Sequence, residues 1–214
     1  MLESSDSTER RILTMQPGLQ DSVKILGAQL VELHVVWQQY RELYADGGTI
    51  EVLNRTAALF FKIVQDELWD SMLLGICRML DPAEQGRGKK LRTNLTLYSL
   101  PVFITDAILK ENVTQALVDA AHLAKFAKDH RDKRIAHQDH GYAINPALFE
   151  MSGVSRQDVE NTLEALRKVL QLVEAYYNDV DVRYEKNVLV SGADRLIVAL
   201  KRLERLEKKA IRGE

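Results

Sequence analysis

Residues 49–82 read TIEVLNRTAALFFKIVQDELWDSMLLGICRMLDP. Val52, Leu59, Phe60, Ile63, Val64, Leu68, Met72, Leu73, Ile76, Met79 and Leu80 recur at the spacing of one helix face. Thr49 is placed to cap the start. Asp81-Pro82 closes the helix, because proline disfavours helical backbone at the residue before it.

The same pattern extends in both directions. Upstream, Val23, Leu26, Gly27, Leu30, Leu33, Val36 and Tyr40 form a helical stripe that Gly47-Gly48 is expected to stop. The first 18 residues are polar and end at Pro17-Gly18. Downstream, residues 83–94 hold Gly86, Gly88 and several cations and read as an exposed loop. Ser99-Leu100-Pro101 opens a short helix to Lys110, and Thr114 opens another that leads into His130. Ser155 with Asp158 resembles a capping box for a helix running to about Tyr184. Val188-Leu189-Val190 is too short to assign, and Gly192 precedes a last helix from Ala193 to about Ile211. The cations of that last helix read as a solvated outer face. No useful strand alternation and no internal repeat interrupts this pattern. The expected class is all-α, a bundle of about five long helices with short insertions. The expected organisation is a polar segment over 1–18 and one helical domain over 19–214. Within that domain, 49–140 bears the chemistry and 155–212 forms the C-terminal helices.

Composition agrees with a packed chain. Of 214 residues, 46% are hydrophobic and 28% charged, which excludes disorder. Cys77 is the single cysteine, so neither an internal disulfide nor a zinc–thiolate cluster is available, and a reducing compartment is expected. The N-terminus lacks the basic and apolar regions of a signal peptide, and no apolar run approaches the ~20 residues that span a bilayer. A cytoplasmic protein without a membrane partner is expected. The net charge of −2 excludes a globally basic nucleic-acid binder, so any basic patch must be local.

The densest polar segment is Asp129-His130-Arg131-Asp132-Lys133-Arg134-Ile135-Ala136-His137-Gln138-Asp139-His140. Three of the five histidines lie in it. Imidazole takes and gives protons near neutrality, and guanidinium clamps phosphate in two places. Together they supply what metal-free phosphodiester cleavage needs: a proton-transfer group beside a charge that offsets the phosphorane. His130-Arg131-Asp132 imitates a kinase catalytic loop, but His137 stands where that loop needs asparagine, and no Gly-rich loop precedes it. A metal site built from His130, His137, Asp139 and His140 is a second reading. A helix end whose cations meet the helix dipole is a third.

Arg131, then Asp132, then His137 matches the R-(polar)-x-H pattern of the HEPN superfamily, whose members are all-α bundles, many of them metal-independent endoribonucleases. Three ordered segments resemble the AbiU-like HEPN proteins of abortive-infection systems. They are Asp70 through Pro82, Asn94-Leu95-Thr96-Leu97, and His130 through His137. The resemblance implies that Arg131 stabilises the scissile phosphate and His137 is the general acid or base. It implies supporting places for Asp132, for an Arg78–Asp81 pair on the long helix, and for Asp70 or Glu67 as an acid on that helix. Lys133, Arg134, His130 and His140 are candidate RNA-binding residues. Neither a metal nor a cofactor is expected. The implied partners are RNA, a second copy of the chain and a cognate antitoxin, in a phage-defence or toxin–antitoxin setting. The rival is a non-catalytic HEPN module that binds nucleic acid, a nucleotide or a partner protein.

One geometric problem stands out. Residues six apart on a straight helix are roughly 240° apart, ~120° the short way round, with a ~9 Å rise. Arg131 and His137 therefore do not share an ideal face. Helix distortion, the arginine's length, or a second chain must close the gap. Arg134 and His140 have the same spacing and are the alternative register, with Ile135 in the polar second place. Asn94 through Leu97 is expected to be structural rather than a ligand site.

Overall fold

The computed structural model describes residues 15–86, 88–135, 153–186 and 191–212. The expected all-α class is the observed one: the only sheet among the described residues is a two-stranded ribbon.

Helix α1 spans Pro17–Leu43 and α2 spans Gly47–Met79. Proline at the first helical position suits α1, since its missing N–H has no intrahelical partner there. The turn at Tyr44-Ala45-Asp46 reverses the chain, so the two helices run antiparallel and bring Leu33 against Gly75 and Trp37 against Trp69. Gly47-Gly48 opens α2 instead of stopping α1. The Asp46 carboxylate accepts the Thr49 N–H at 2.8 Å, so Asp46, not Thr49, is the cap.

Ala57 has non-helical backbone (φ −161°, ψ 72°) and kinks α2. The kink changes which side chains face inward. Leu59, Phe60 and Ile63, expected in the buried stripe, are 76%, 60% and 52% exposed, while Phe61 is buried. The stripe holds in the last third of α2, where Met72, Leu73, Ile76 and Met79 are all buried.

After α2 the chain forms an antiparallel ribbon of β1 (Glu84–Gln85) and β2 (Arg92–Thr93), within the stretch expected as a loop. Gly86 takes φ 93°, and a Cβ there would overlap the Lys90 carbonyl oxygen. A 3-10 helix, Leu97–Phe103, follows. Helix α3, Ala107–Leu123, begins earlier than Thr114 because Asp106 caps it through the Leu109 N–H at 2.7 Å. The Thr114 hydroxyl instead donates back to the Lys110 carbonyl inside the helix. Helix α4, Lys125–His130, runs into a π-helical turn, Arg131–Ile135.

Helix α5, Arg156–Asn178, opens with the expected capping box, Ser155 N–H donating to Asp158 at 2.8 Å and Asp158 N–H to the Ser155 hydroxyl at 3.1 Å. It ends at Asp179 in the left-handed region (φ 53°) rather than near Tyr184. Tyr184 folds back, buried against Gly27, and its hydroxyl donates to Glu174 at 2.7 Å. Helix α6, Ala193–Arg212, closes the described chain. The main core joins α1, the second half of α2, α3 and α5. A smaller cluster holds Ala193 and Ile197 of α6 against Leu43, Tyr44, Leu53 and Phe61. Residues 1–14 and Val188-Leu189-Val190 lie outside the described residues.

Gly75 is where α1 and α2 approach most demandingly, since a Cβ there would overlap Cδ2 of buried Leu33. Overpacking costs about 1–3 kcal/mol and outweighs the ~0.5–1 kcal/mol that alanine gains in a helix. Gly75→Ala is therefore expected to lower the urea midpoint, with a net loss of about 1–2 kcal/mol.

Candidate active site

Helix α2 stops because Pro82 follows Asp81, and the capping residue Leu80 already leaves helical geometry (φ −114°, ψ 12°). Asp81 is thereby turned away from the helix axis and towards the α4 end. Its Oδ1 accepts Nη1 of Arg131 at 2.7 Å, across 50 residues of sequence. Nε of Arg131 donates to Oδ1 of Asp132 at 2.9 Å. Burial opposes the guanidinium charge, but the hydrogen bonds to Asp132 and Asp81 outweigh it and hold the pKa above its ordinary value. Arg131 stays cationic at every working pH.

This arrangement corrects the expected Arg78–Asp81 pair. Arg78 is exposed on the last turn of α2 and, among the described residues, forms no ion pair with Asp81. Helical i,i+3 geometry needs Asp81 to remain in the helix, and it does not. Asp70 is half-buried on α2. Nine helical residues place it ~14 Å along the axis from Met79, the end of α2, and so far from the Asp81–Arg131 pair. The α2-side acid that meets Arg131 is thus Asp81, beyond the helix end. Asp132, in the polar place beside Arg131, accepts its Nε–H. Because Asp81 joins the local charge balance, the cation excess around the motif is smaller than the motif segment alone implies.

The π-helical turn Arg131–Ile135 begins at the site arginine. A π turn takes more residues per revolution than an α turn, and such turns recur at functional sites. The helix is distorted over 131–135, one of the three ways considered for bringing Arg131 towards His137. His137, His140 and Asp139 lie outside the described residues, and so does the side chain of Arg134. His130 and Lys133 are half-buried at the end of α4 and in the π turn.

An open cleft of about 750 Å³ lies beside Arg131. The end of α2 contributes Cys77 and Leu80, the 3-10 helix Tyr98, α3 His122, and α4 Lys125 and Lys128. Lys125 pairs with Asp129 at 2.7 Å. Tyr98 and the cleft itself were not found from the sequence, although Tyr98 directly follows the Asn94–Leu97 segment. That segment is structural as expected. The Asn94 side-chain amide donates to the Pro82 carbonyl at 3.0 Å and its N–H to the Ala83 carbonyl at 2.8 Å; Leu97 is buried and Leu95 is exposed. Among the described residues, no group of three or more His, Cys, Asp or Glu side chains is placed to hold a metal ion, and no helix is long and apolar enough to cross a membrane.

The family model for AbiU2, a HEPN family, matches residues 18–186. The chain belongs to the HEPN AbiU2 family. The match runs from α1 to Lys186, so it includes the Asp81–Arg131 pair and the cleft, while α6 lies beyond it. No curated protein and no solved structure is significantly similar to this AbiU2 chain.

Cys77 gives a direct check on the cleft's inner wall. Burial pushes its thiol up to about 11; Arg131 pulls it down, while Asp81 and Asp132 push it further up. Near pH 8 almost no thiolate is present. Iodoacetamide is expected to leave the folded protein unmodified and to alkylate it fully in denaturing guanidinium, read by intact-mass spectrometry.

Proposed function

We propose that this AbiU2 protein is a metal-independent endoribonuclease of an abortive-infection or toxin–antitoxin type system, acting on RNA in the cytoplasm. What carries the reading is the placement of Arg131. Its guanidinium is held by Asp81 and Asp132 at the rim of an open cleft, beside Lys125 and Lys128 and six residues before His137. Two of its five N–H donors are engaged, which leaves donors for a phosphate. In the proposed reaction His137 transfers a proton at the ribose 2′-hydroxyl or the leaving 5′-oxygen. The attack of the 2′-oxygen on phosphorus expels the 5′-oxygen and leaves a 2′,3′-cyclic phosphate. Arg131 offsets the charge that builds on the phosphorane.

Cleavage of labelled RNA in EDTA tests this. His137→Ala is expected to lower the rate at least ~100-fold while RNA binding stays nearly intact, because proton transfer matters mainly in the transition state. Arg131→Ala is expected to lower both. Full activity in His137→Ala with none in His140→Ala would move the motif to Arg134 and His140. Activity that vanishes in EDTA and returns with a divalent metal would overturn the mechanism.

One observation favours a second reading, a non-catalytic HEPN module. Arg131 meets two carboxylates, as a structural cross-link between α2 and the π turn would. Under that reading Arg131→Ala lowers stability by about 1–3 kcal/mol, and the unmodified protein cleaves no RNA.

A homodimer and a cognate antitoxin belong to the same proposal, on the strength of the family. Sedimentation velocity at micromolar concentration is expected to give a dimer, and a monomer at all concentrations would remove that part.

A further inference from the structure

We infer that the cleft beside Arg131 is a nucleobase pocket, which takes the base adjoining the phosphate that Arg131 holds, with Tyr98 as the surface on which the base stacks. The inference rests on the ribonuclease reading only for the phosphate's place. The pocket itself is read from its walls.

A nucleobase with its phosphate presents three different surfaces: an apolar π face, a polar edge and an anionic end. The cleft offers a counterpart to each. Its volume of about 750 Å³ lies in the range of small-ligand sites and accommodates a mononucleotide. Leu80 and Pro82 supply an apolar wall. Tyr98 lines the cleft, is 37% exposed and makes no ring–ring contact among the described residues. By contrast, Trp37, Tyr40, Tyr44 and Trp69 form a continuous cluster between α1 and α2. The cations Lys128 and Arg131 lie on the α4 side, where they face the anionic end of a ligand. Asp129 spends Oδ2 on Lys125 and keeps Oδ1 for an N–H donor on the base edge.

An apolar peptide does not fit this distribution, because it has no use for a one-sided cationic rim. A bare phosphate does not fit either, because it leaves the apolar wall and Tyr98 without a partner. A single-stranded nucleotide uses all of them, and single-stranded RNA is commonly read by splaying bases onto aromatic side chains.

Isothermal titration of the full-length protein tests the inference with four nucleoside 3′-monophosphates, inorganic phosphate and ribose 5-phosphate as probes. At least one nucleotide is expected to bind about tenfold or more tightly than phosphate or ribose 5-phosphate, since a base–aromatic stack supplies that much. Tyr98→Phe is expected to keep this preference and Tyr98→Leu to lose it, with unchanged thermal melting in both. Nucleotides that bind no better than inorganic phosphate overturn the inference, as does a Tyr98→Leu protein that binds them undiminished. The assay needs no turnover, so the two proposals separate. Tyr98-dependent nucleotide binding without RNA cleavage sustains the pocket and removes the nuclease. Cleavage whose rate and base preference are unchanged in Tyr98→Leu sustains the nuclease and removes the pocket.

Discussion

Asp81 and Arg131 are 50 residues apart in sequence and 2.7 Å apart in space, and the site is organised around that contact. It exists because α2 cannot continue through Pro82. Were the helix to continue, Asp81 would follow its axis instead of turning towards α4. The two side chains are 28% and 23% exposed, screened enough from water for their mutual attraction to matter and open enough for a ligand to reach them. Such a pair is costly to break one partner at a time, because the remaining charge is left partly desolvated.

The same chain reversal builds the rest of the cleft. Asn94 fastens the end of the β1–β2 ribbon to the carbonyls of Pro82 and Ala83. Leu97 and Leu100 then anchor the 3-10 helix in the core, which leaves Tyr98 on its outer side. From the other direction, α3 and α5 pack along most of their length, and the Thr162 hydroxyl donates to the Leu123 carbonyl at the junction with α4. Both sides of the cleft are therefore tied to rigid elements. The proposed placing of a phosphate and a base in fixed relation would depend on such rigidity.

Arg131 links the end of α2 to the π turn, and the proposed function gives it a chemical role as well. Its two carboxylate partners fix its direction and keep it charged, and they also offset much of that charge. A phosphate approaching Arg131 thus meets an oriented fork of donors rather than a strong isolated cation. Net attraction at long range has to come from neighbours, and Lys128 stands close by in the cleft wall. The proposed division, steering by lysines and positioning by arginine, follows from the different shapes of the two cations.

Much of the fold was legible because helix periodicity is a local property. The stripe from Leu26 to Tyr40, the capping box at Ser155 and Asp158, and the stop at Asp81-Pro82 each involve residues within a turn or two of one another. The errors arose where a competing local signal won or where a partner was remote. Asp46 outcompeted Thr49 and Asp106 outcompeted Thr114 because a carboxylate accepts an orphan N–H more strongly than a hydroxyl does. Leu59, Phe60 and Ile63 fit the stripe by spacing, but the kink at Ala57 turned that face outward.

The sequence by itself determined the helical class and the family, and singled out Arg131 as the candidate arginine, since each depends on residue types at short spacing. The tertiary structure alone decided that Asp81 pairs with Arg131 rather than with Arg78, that the helix widens into a π turn at the motif, and that Tyr98 borders the cleft. The physical reason is common to all three. Spacing along a helix specifies which side chains are neighbours only while the helix continues, and each of these features lies where a helix stops, distorts or meets another element.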